Sequence, residues 1–313
     1  MQSAKKKYKL GKLKEKVFIS VMIGIPLIQF LIFYVWMNFN SILMAFNEGP
    51  EVIWKNGFMM LGEDVYGWNN FMRIFRNEAN VLSVALKNTL LFFAVGTAVT
   101  LPISLFVSFF LYKKIPLAGA FRFVFFIPSI TTALIYVSGF STFFEQYGPI
   151  WKVCNAIGVE WRNLLDNSTR GVITVIFYSI WVGLGVNMLL YQSAMSRIPE
   201  EVIQVARLDG VGWVREMFQL VLPMIWPTLS MTLLLSFTGM FTGGSIVLLF
   251  NNEGRLSNMD TISYWIFSRS GESIADVDRN AAAAVGLLFT VVGFPIIMGV
   301  RVLLNKLDPD VEF

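Results

Sequence analysis

The hydrophobic residues of this chain are gathered into long uninterrupted runs. Each run is at least as long as the roughly 20 apolar residues that an α-helix needs to cross a ~30 Å hydrocarbon core. The strands of a membrane β-barrel would instead alternate over ~10 residues. The pattern therefore predicts an all-α integral membrane protein with six transmembrane helices. The windows of 18 or more residues without Asp, Glu, Lys or Arg are 17–47, 88–112, 123–144, 171–196, 217–252 and 280–300.

The predicted helices lie near 17–46, 88–112, 123–143, 171–195, 224–249 and 281–304. The first window is too long for a signal peptide and lacks a small-residue cleavage site, so we interpret it as a retained helix. We divide the chain into a basic tail, a first helix, an extracellular segment, a helical core containing one long loop, and a second tail. These parts are 1–16, 17–46, 47–87, 88–305 with its loop at 197–222, and 306–313.

Composition excludes several classes of protein. The 313 residues include no His and one Cys, Cys154, so a His-ligated metal, a His general base and an intrachain disulfide are excluded. The Gly11-Lys12 pair is followed by Leu13, and the chain carries no Walker A loop of its own. Only 15% of the residues are charged, against about 25% in soluble domains. A soluble enzyme is therefore not expected.

The distribution of Lys and Arg predicts the orientation. Seven lysines lie within residues 1–16, and segments on that side carry Lys and Arg at about twice the density of the other side. The positive-inside rule therefore places both termini in the cytoplasm. We interpret the tail as a topology anchor beside anionic lipid rather than a grip on a partner, and we infer no role in nucleic-acid binding.

The six windows also lack charge at membrane depth, which has a functional consequence. Secondary transporters driven by protons or cations usually need ionisable groups within the membrane, so this mode of energy coupling is not expected. Hydroxyls and amides among 29 Phe and nine Trp suit an uncharged polyhydroxyl ligand. The alternative is that they bond to helix carbonyls. These neutral groups are Gln29, Asn38, Thr97, Thr100, Ser129, Ser179, Asn187, Ser236, Thr238 and Thr242.

The segment between the fourth and fifth windows has the signals of a short helix bounded by turns. Pro199 suits the start of a helix, and Glu200 and Glu201 complement the positive end of its dipole. Asp209-Gly210 predicts its end, because Gly adopts the left-handed cap conformation. Such an amphipathic helix either lies on the membrane surface or docks into another protein. Its apolar positions are Val202, Val205, Ala206 and Leu208.

The same loop carries a spaced motif. Gln204-Val205-Ala206, Gly210 and Leu220-Val221-Leu222-Pro223 follow the pattern E-A-A, three variable positions, G, nine variable positions and I-x-L-P. The chain thereby resembles the permease subunits of binding-protein-dependent ABC importers, and within them the carbohydrate-uptake branch typified by the maltose permease. Gln204 replaces the family's Glu and Val205 its first Ala, while Glu201 lies nearly one turn away as a substitute. The resemblance covers roughly 60–305 and implies the type I (MetI-like) permease fold.

The resemblance also implies a mechanism and its partners. The loop would be a coupling helix seated in a groove of a cytoplasmic ATPase, which binds the ATP and Mg, so this chain would carry no cofactor. The partners would be a second homologous permease, two ATPase subunits, an extracellular or periplasmic solute-binding protein and a sugar, in a bacterial inner membrane. The residues implied in ATPase coupling are Pro199, Glu201, Gln204, Ala206, Asp209, Gly210 and Pro223.

In the maltose-type branch the substrate is held by the helices before and after the coupling loop. Trp181 and Gly183 preserve a Trp-x-Gly pattern of that branch, and Asn187 is a replacement donor beside Val186. Gly, Met or Val stand where the branch has amide and aromatic groups, so either the ligand is bulkier or the second permease makes most contacts. The positions aligned from Pro199 and Pro223 are Ser179, Val182, Gly183, Val186, Ser236, Gly239, Met240 and Gly243.

Two alternatives stay open at this point. The chain is expected to be a sugar or oligosaccharide permease subunit, but a permease for another neutral or anionic solute fits the same fold. A membrane scaffold without transport is the alternative from a different class. The spacing of Pro199, Asp209-Gly210 and Pro223 disfavours the scaffold, which has no need of it.

Overall fold

The computed structural model describes residues 2–55, 58–161, 164–165, 169–241, 245–250, 259–271 and 276–309. Within these ranges, four helices are long and apolar enough to cross a membrane: Lys14–Phe46, Ala79–Tyr112, Thr169–Met195 and Asp278–Lys306. Two bent helix pairs also pass when each pair is taken as one broken span, which raises the number of candidate spans to six. The predicted all-helical, multi-span architecture is confirmed.

The helices and strands are numbered in chain order. The helices are α1 (2–46), α2 (Asn69–Asn77), α3 (Ala79–Tyr112), α4 (Ala118–Ile130), α5 (Ala133–Phe144), α6 (Pro149–Ala156), α7 (Thr169–Met195), α8 (Glu200–Leu208), α9 (Trp213–Met224), α10 (Trp226–Gly239), α11 (Ser245–Phe250), α12 (Ile262–Arg269) and α13 (Asp276–Lys306). Strands β1 (Asn47–Lys55) and β2 (Phe58–Tyr66) form an antiparallel pair. Short π-helical stretches interrupt α1, α3 and α9 at Leu31–Trp36, Gly96–Thr100 and Glu216–Val221.

The third predicted helix is broken, so its prediction as one continuous helix was wrong. The fifth begins near its predicted start, but α10 ends at Gly239 and α11 is a separate helix from Ser245. The α4 axis turns by 110° into the next helix at Thr131 and Thr132, whose backbones are extended, and Pro128 removes a backbone donor from the last turn of α4. The α9 axis turns by 75° into α10 at Ile225, and Pro227 begins α10 at a position that proline favours. Pro128 and Pro227 therefore lie next to the ends of helices rather than in the middle of continuous spans.

One compact unit comprises residues 1–76 and 269–288. It contains the β1–β2 hairpin, which the sequence analysis did not predict within 47–87. The buried Asn70 amide donates to the carbonyls of Ala45 at 3.1 Å and Asn47 at 2.7 Å, and Asn280 also donates to the Asn47 carbonyl at 2.9 Å. These bonds join the end of α1, the start of α2 and the start of α13, because buried carbonyls need a partner.

The second compact unit comprises residues 77–268 and 289–313. Its helices α4 and α7 approach closely at Gly185, where a Cβ atom would lie 2.5 Å from the Phe125 carbonyl oxygen. Small residues permit this kind of helix contact in membranes. At the end of α7, Tyr191 and Met195 are fully buried with Phe109 of α3 and Ile203 of α8. This apolar cluster holds α8 against the ends of the longer helices.

Candidate functional site

A cavity of about 280 Å³, which we name the neutral cavity, lies between α3, α7, α10 and α11 in the second unit. None of its described lining side chains is charged. Its lining combines hydroxyl and amide groups with aromatic and aliphatic ones, the mixture typical of small-molecule sites. The lining residues are Thr89, Phe92, Phe93, Val95, Gly96, Thr97, Thr100, Leu101, Ser179, Gly183, Asn187, Ser236, Gly239, Met240, Ile246, Val247 and Thr261.

Six of the predicted pathway residues line the neutral cavity together. Ser179, Gly183 and Asn187 are four residues apart on α7, so they share one helix face. Gly239 and Met240 are three and four residues from Ser236, so these residues at the end of α10 and directly after it also face the cavity together. The structure brings these two triplets to one cavity, which residues of α3 also line.

Among the described pathway residues, Val182, Val186 and Trp181 do not line this cavity. Val182 packs against the apolar cluster that contains Tyr178 and Val247. Val186 is 54% exposed on another face of α7. Trp181 packs against Tyr136 and Tyr178 and lines a separate aromatic cavity of about 580 Å³ between α5 and α7. Gly243 lies outside the described residues. Trp181 is two residues from both Ser179 and Gly183, so it points away from their helix face, whereas Val186 is three residues from Gly183 and is left out because its side chain faces outward.

The two described pathway glycines have different surroundings. A Cβ atom at Gly183 would lie 2.9 Å from the Thr100 side chain, so this glycine permits α7 to pack against α3. A Cβ atom at Gly239 would meet nothing within 4 Å. Gly183 therefore serves packing, whereas Gly239 leaves open volume at the wall of the cavity.

The predicted polar residues bond within their own helices. Ser179 Oγ donates to the Val175 carbonyl at 2.8 Å, Asn187 Nδ2 donates to the Gly183 carbonyl at 3.0 Å, and Ser236 Oγ donates to the Thr232 carbonyl at 3.0 Å. A hydroxyl oxygen and an amide Oδ1 each still accept further hydrogen bonds. The walls contributed by α7 and α10 therefore present acceptors, which suit ligand hydroxyl groups.

Thr97 of α3 is a site residue that the sequence analysis did not assign to the pathway. Its hydroxyl oxygen is buried and has no hydrogen-bond partner among the described residues. It lies in the π-helical turn Gly96–Thr100, and such turns are frequent at functional sites. A buried hydroxyl without a partner is costly, so Thr97 is the polar group best placed to gain from a ligand. The sequence placed it at membrane depth but gave no sign of its neighbours.

Helix α8 has the predicted boundaries. Pro199 precedes it, Glu200 and Glu201 occupy its first turn, and Gly210 has the left-handed φ of 69°. Gly210 N–H donates to the Arg207 carbonyl at 3.1 Å and Val211 N–H to the Ala206 carbonyl at 3.0 Å. These two bonds are those of a Schellman cap, which confirms the predicted helix end.

The two faces of α8 differ from the predicted amphipathic pattern. The buried side chains are Ile203 and Ala206, at 3% and 7% exposure. Val205 and Leu208, two of the four predicted apolar positions, lie on the other face and are 57% and 87% exposed. Glu201, Gln204 and Asp209 are exposed as well. Because 201, 204, 205 and 208 are three or four residues apart, α8 presents one continuous outward face with two apolar side chains.

An ion pair links α9 to the turn that follows α3. Glu216 is 3% exposed in the first part of α9 and pairs with Lys113. The second Glu216 oxygen, Oε1, is buried and has no partner among the described residues. Pro223, the last predicted coupling residue, lies in the final turn of α9 next to the bend at Ile225. The coupling segment is thus fastened at α8 by apolar packing and at α9 by charge.

The chain matches the family model described as "Binding-protein-dependent transport system inner membrane component" over residues 100–312. That is more than half of the chain, and the chain belongs to this family. It is therefore a permease component of a binding-protein-dependent ABC importer and a multi-pass inner-membrane protein. The region that matches contains the neutral cavity's α7 and α10 walls and the whole coupling segment.

Two curated relatives have similar length and low identity. The sn-glycerol-3-phosphate transport system permease protein UgpA of Yersinia pseudotuberculosis serotype I is 26% identical over 239 residues, covering 76% of this chain and 80% of the relative. The probable ABC transporter permease protein MG188 homolog of Mycoplasma pneumoniae is 25% identical over 244 residues, covering 74% of this chain and 72% of the relative.

Solved structures share the fold. A crystal structure of a bacterial ABC transporter involved in the import of the acidic polysaccharide alginate matches with a TM-score of 0.78 and 20% identity, covering 94% of this chain and 97% of that chain. A second structure, of the bacterial alginate ABC transporter in complex with an alginate pentasaccharide-bound periplasmic protein, matches with a TM-score of 0.77 and 18% identity, covering 95% and 97%. The likeness extends to nearly the whole chain and confirms the type I permease fold.

Proposed function

We propose that this chain is the permease subunit of an ATP-driven importer for an uncharged sugar or oligosaccharide, and that the ligand passes through the neutral cavity. The chemistry of the cavity is the observation that carries the proposal. Its α7 and α10 walls offer hydrogen-bond acceptors, α3 offers the buried Thr97 hydroxyl, and Phe92 and Phe93 supply apolar ring surface. A saccharide presents the complementary groups, because it has hydroxyl groups around its ring and apolar C–H groups on the ring faces.

The absence of charge separates this proposal from an anionic substrate. The relative UgpA belongs to an sn-glycerol 3-phosphate transport system, and the solved structures belong to an importer of an acidic polysaccharide. A buried anion needs a cationic or multiply hydrogen-bonded partner, because isolated burial of charge is very costly. The described lining of the neutral cavity supplies no cation. A neutral ligand is therefore favoured for the path through this subunit.

The outward face of α8 supports the second part of the proposal, which concerns the energy source. Leu208 and Val205 leave an apolar strip in solvent, rimmed by Glu201 and Gln204. Interfaces commonly combine an apolar centre with a polar rim. We assign this face to a cytoplasmic ATPase, with a second permease, a second ATPase and an external solute-binding protein completing the importer. In this orientation both termini and α8 lie in the cytoplasm.

The test reconstitutes the complete importer in proteoliposomes and measures ATP hydrolysis with the solute-binding protein and one candidate solute at a time. We expect a neutral saccharide to stimulate hydrolysis, and glycerol 3-phosphate and uronate oligosaccharides not to. Stimulation by an anionic solute alone would overturn the neutral-sugar proposal while leaving the permease assignment intact.

Docking is tested separately by co-purification. Leu208→Lys places a charge at the centre of the apolar strip, so we expect the ATPase to be lost from the purified complex. Val159→Lys is the matched control, because Val159 is a 52% exposed apolar residue on the opposite side of the membrane in the proposed orientation. Full retention of the ATPase by Leu208→Lys would overturn the assignment of this face.

A further inference from the structure

A second cavity, of about 470 Å³, lies where the ends of α3, α4 and α7 meet α8, and we name it the basic pocket. Lys114 comes from the turn after α3, Arg122 from the start of α4 and Arg207 from the last turn of α8. All three side chains are exposed to the pocket's solvent. Three separate elements therefore direct cations into one concave surface.

These three cations have no anionic partner in the part of the chain that the structure describes. None of Lys114, Arg122 and Arg207 lies within 4 Å of a carboxylate of the described residues. Lys113 also lines the pocket, but it pairs with Glu216. Glu200 is the single carboxylate of the described lining, and it is not within ion-pair distance of any of the three. Like charges gathered in a cleft repel one another and attract an anion.

The rest of the lining adds hydrogen-bonding groups. The Gln192 side chain is 9% exposed, and its amide reaches this pocket together with the Ser196 hydroxyl. Guanidinium groups bind phosphate oxygens through two parallel hydrogen bonds, and ammonium groups bind them as point charges. Two Arg, one Lys and the Gln192 amide N–H groups are therefore the chemistry of a phosphate site, while the Ser196 O–H already donates to the Gln192 carbonyl at 2.8 Å.

The surroundings lie at the level of a membrane surface. Tyr112 is the last residue of the membrane-spanning helix α3, and Arg122 has Phe121 and Phe123, 44% and 66% exposed, on either side. Lys114 has the left-handed φ of 55°, and the nearby Leu117 is 75% exposed with a φ of 62°. The turn thus presents a cation toward the pocket and an apolar side chain outside it. Basic pockets between spans at this level bind lipid headgroups.

We infer that the basic pocket binds a phosphate group, supplied either by an anionic phospholipid of the membrane or by a phosphate-bearing solute. Because Arg207 belongs to α8, while Lys114 follows α3 and Arg122 belongs to α4, the bound phosphate would tie α8 to the ends of α3 and α4. The inference concerns binding to this chain alone, so it stands or falls independently of the sugar transported.

The test uses the full chain purified in detergent and counts bound molecules by native mass spectrometry. The probes are phosphatidylglycerol, phosphatidylcholine and inorganic phosphate, and each is titrated alone. Phosphatidylglycerol is also titrated in competition with inorganic phosphate. The variant is Lys114→Gln, Arg122→Gln and Arg207→Gln together. The control, Arg76→Gln, Lys87→Gln and Lys152→Gln, removes three exposed cations that lie outside both the pocket and the basic tail.

We expect tighter binding of phosphatidylglycerol than phosphatidylcholine, by about tenfold or more, with loss of the preference in the pocket variant and retention in the control. Arg207→Lys alone should weaken binding by less, because it keeps the charge and loses the bidentate geometry. Displacement of the lipid by phosphate, or binding of phosphate alone, would assign the pocket to a soluble solute. The inference would be overturned if both triple variants lost phosphatidylglycerol binding equally, or if neither phosphatidylglycerol nor inorganic phosphate bound the natural chain.

Discussion

Helix α7 lines two cavities of opposite chemistry. Its middle contributes Ser179, Gly183 and Asn187 to the neutral cavity, and its end contributes Gln192 to the basic pocket, with Ser196 directly after the helix. The first cavity has no charged group in its described lining, whereas cations of three elements converge on the second. The same helix therefore separates the level at which a solute is bound from the level at which energy enters. In our proposal, the charged side chains lie near the ATPase and the membrane surface, and the described lining of the cavity through which the solute passes has none.

The largest effect should come from disrupting the cap of α8, which lies beside the basic pocket, while leaving the neutral cavity intact. Gly210→Pro removes the N–H bond to the Arg207 carbonyl and cannot adopt the φ of 69°. We expect membrane insertion to be normal and co-purification of the ATPase to be abolished.

A milder version of this change sharpens the result. Gly210→Ala should cost about 1 kcal/mol, which corresponds to a roughly fivefold loss of the docking-competent cap. Gly212→Ala is the matched control, because Gly212 has an ordinary φ of −70°. If Gly210→Pro retained the ATPase, the role of the α8 cap in docking would be contradicted.

The second prediction tests the neutral cavity alone. Gly239→Val projects side-chain atoms into open space at the cavity wall. We expect the ligand to lose about 1–3 kcal/mol of binding, or roughly five- to a hundredfold in apparent affinity measured by uptake. Gly299→Val is the control, since Gly299 is an exposed helical glycine that also has open space around it. Equal uptake by the two variants would remove Gly239 from the solute path.

The third effect addresses the connection between the turn after α3 and α9. Glu216→Gln leaves the Lys113 ammonium, whose side chain is 22% exposed, without its partner. We expect a loss of about 1–3 kcal/mol of stability, less than for a fully buried pair because solvent reaches the lysine. The measurement is the thermal unfolding midpoint in detergent.

The double variant Lys113→Met, Glu216→Met provides the control for this pair. Replacing both partners with apolar side chains removes the unpaired charge, so we expect stability near that of the natural chain. If Glu216→Gln alone unfolded at the natural temperature, the ion pair would have no role in holding α9.

The smallest effect is expected at Thr97. Thr97→Val keeps the shape of the side chain and removes a buried hydroxyl that has no partner among the described residues. Stability should stay the same or rise slightly, while the apparent affinity for the solute should fall by a factor of about two to ten, the value of one hydrogen bond. Unchanged uptake would show that the ligand does not reach α3. The nearby Thr89 already donates to the Ala85 carbonyl and accepts from Ile262 N–H, so Thr89→Val should instead lower stability.

The sequence predicted the parts of the fold that depend on local signals. The charge-free windows gave the spans, and Asp209-Gly210 gave the end of α8 with its left-handed glycine. The bend at Thr131 was missed, because a proline near a helix end and a proline within a continuous span look alike in sequence. The β1–β2 hairpin was also missed, since its pairing joins residues across a segment with no clear alternation.

The site was predictable where one helix supplies several residues in register. Ser179, Gly183 and Asn187 follow from helix periodicity once α7 is known, whereas Trp181 and Val186 belong to other faces of the same helix. Thr97 required the packing of α3 against α7, which no spacing along the chain encodes. The same holds for the basic pocket, whose three cations are far apart in sequence and meet through tertiary structure.

The central claim is that a neutral saccharide occupies the neutral cavity during transport. The most direct measurement introduces Ser236→Cys into a Cys154→Ser chain, which leaves one thiol, at the cavity wall. In the reconstituted importer, we expect the transported neutral saccharide, and not glycerol 3-phosphate, to slow labelling of this thiol by an uncharged maleimide. Labelling that proceeds at the same rate with and without the saccharide, while transport continues, would contradict the account.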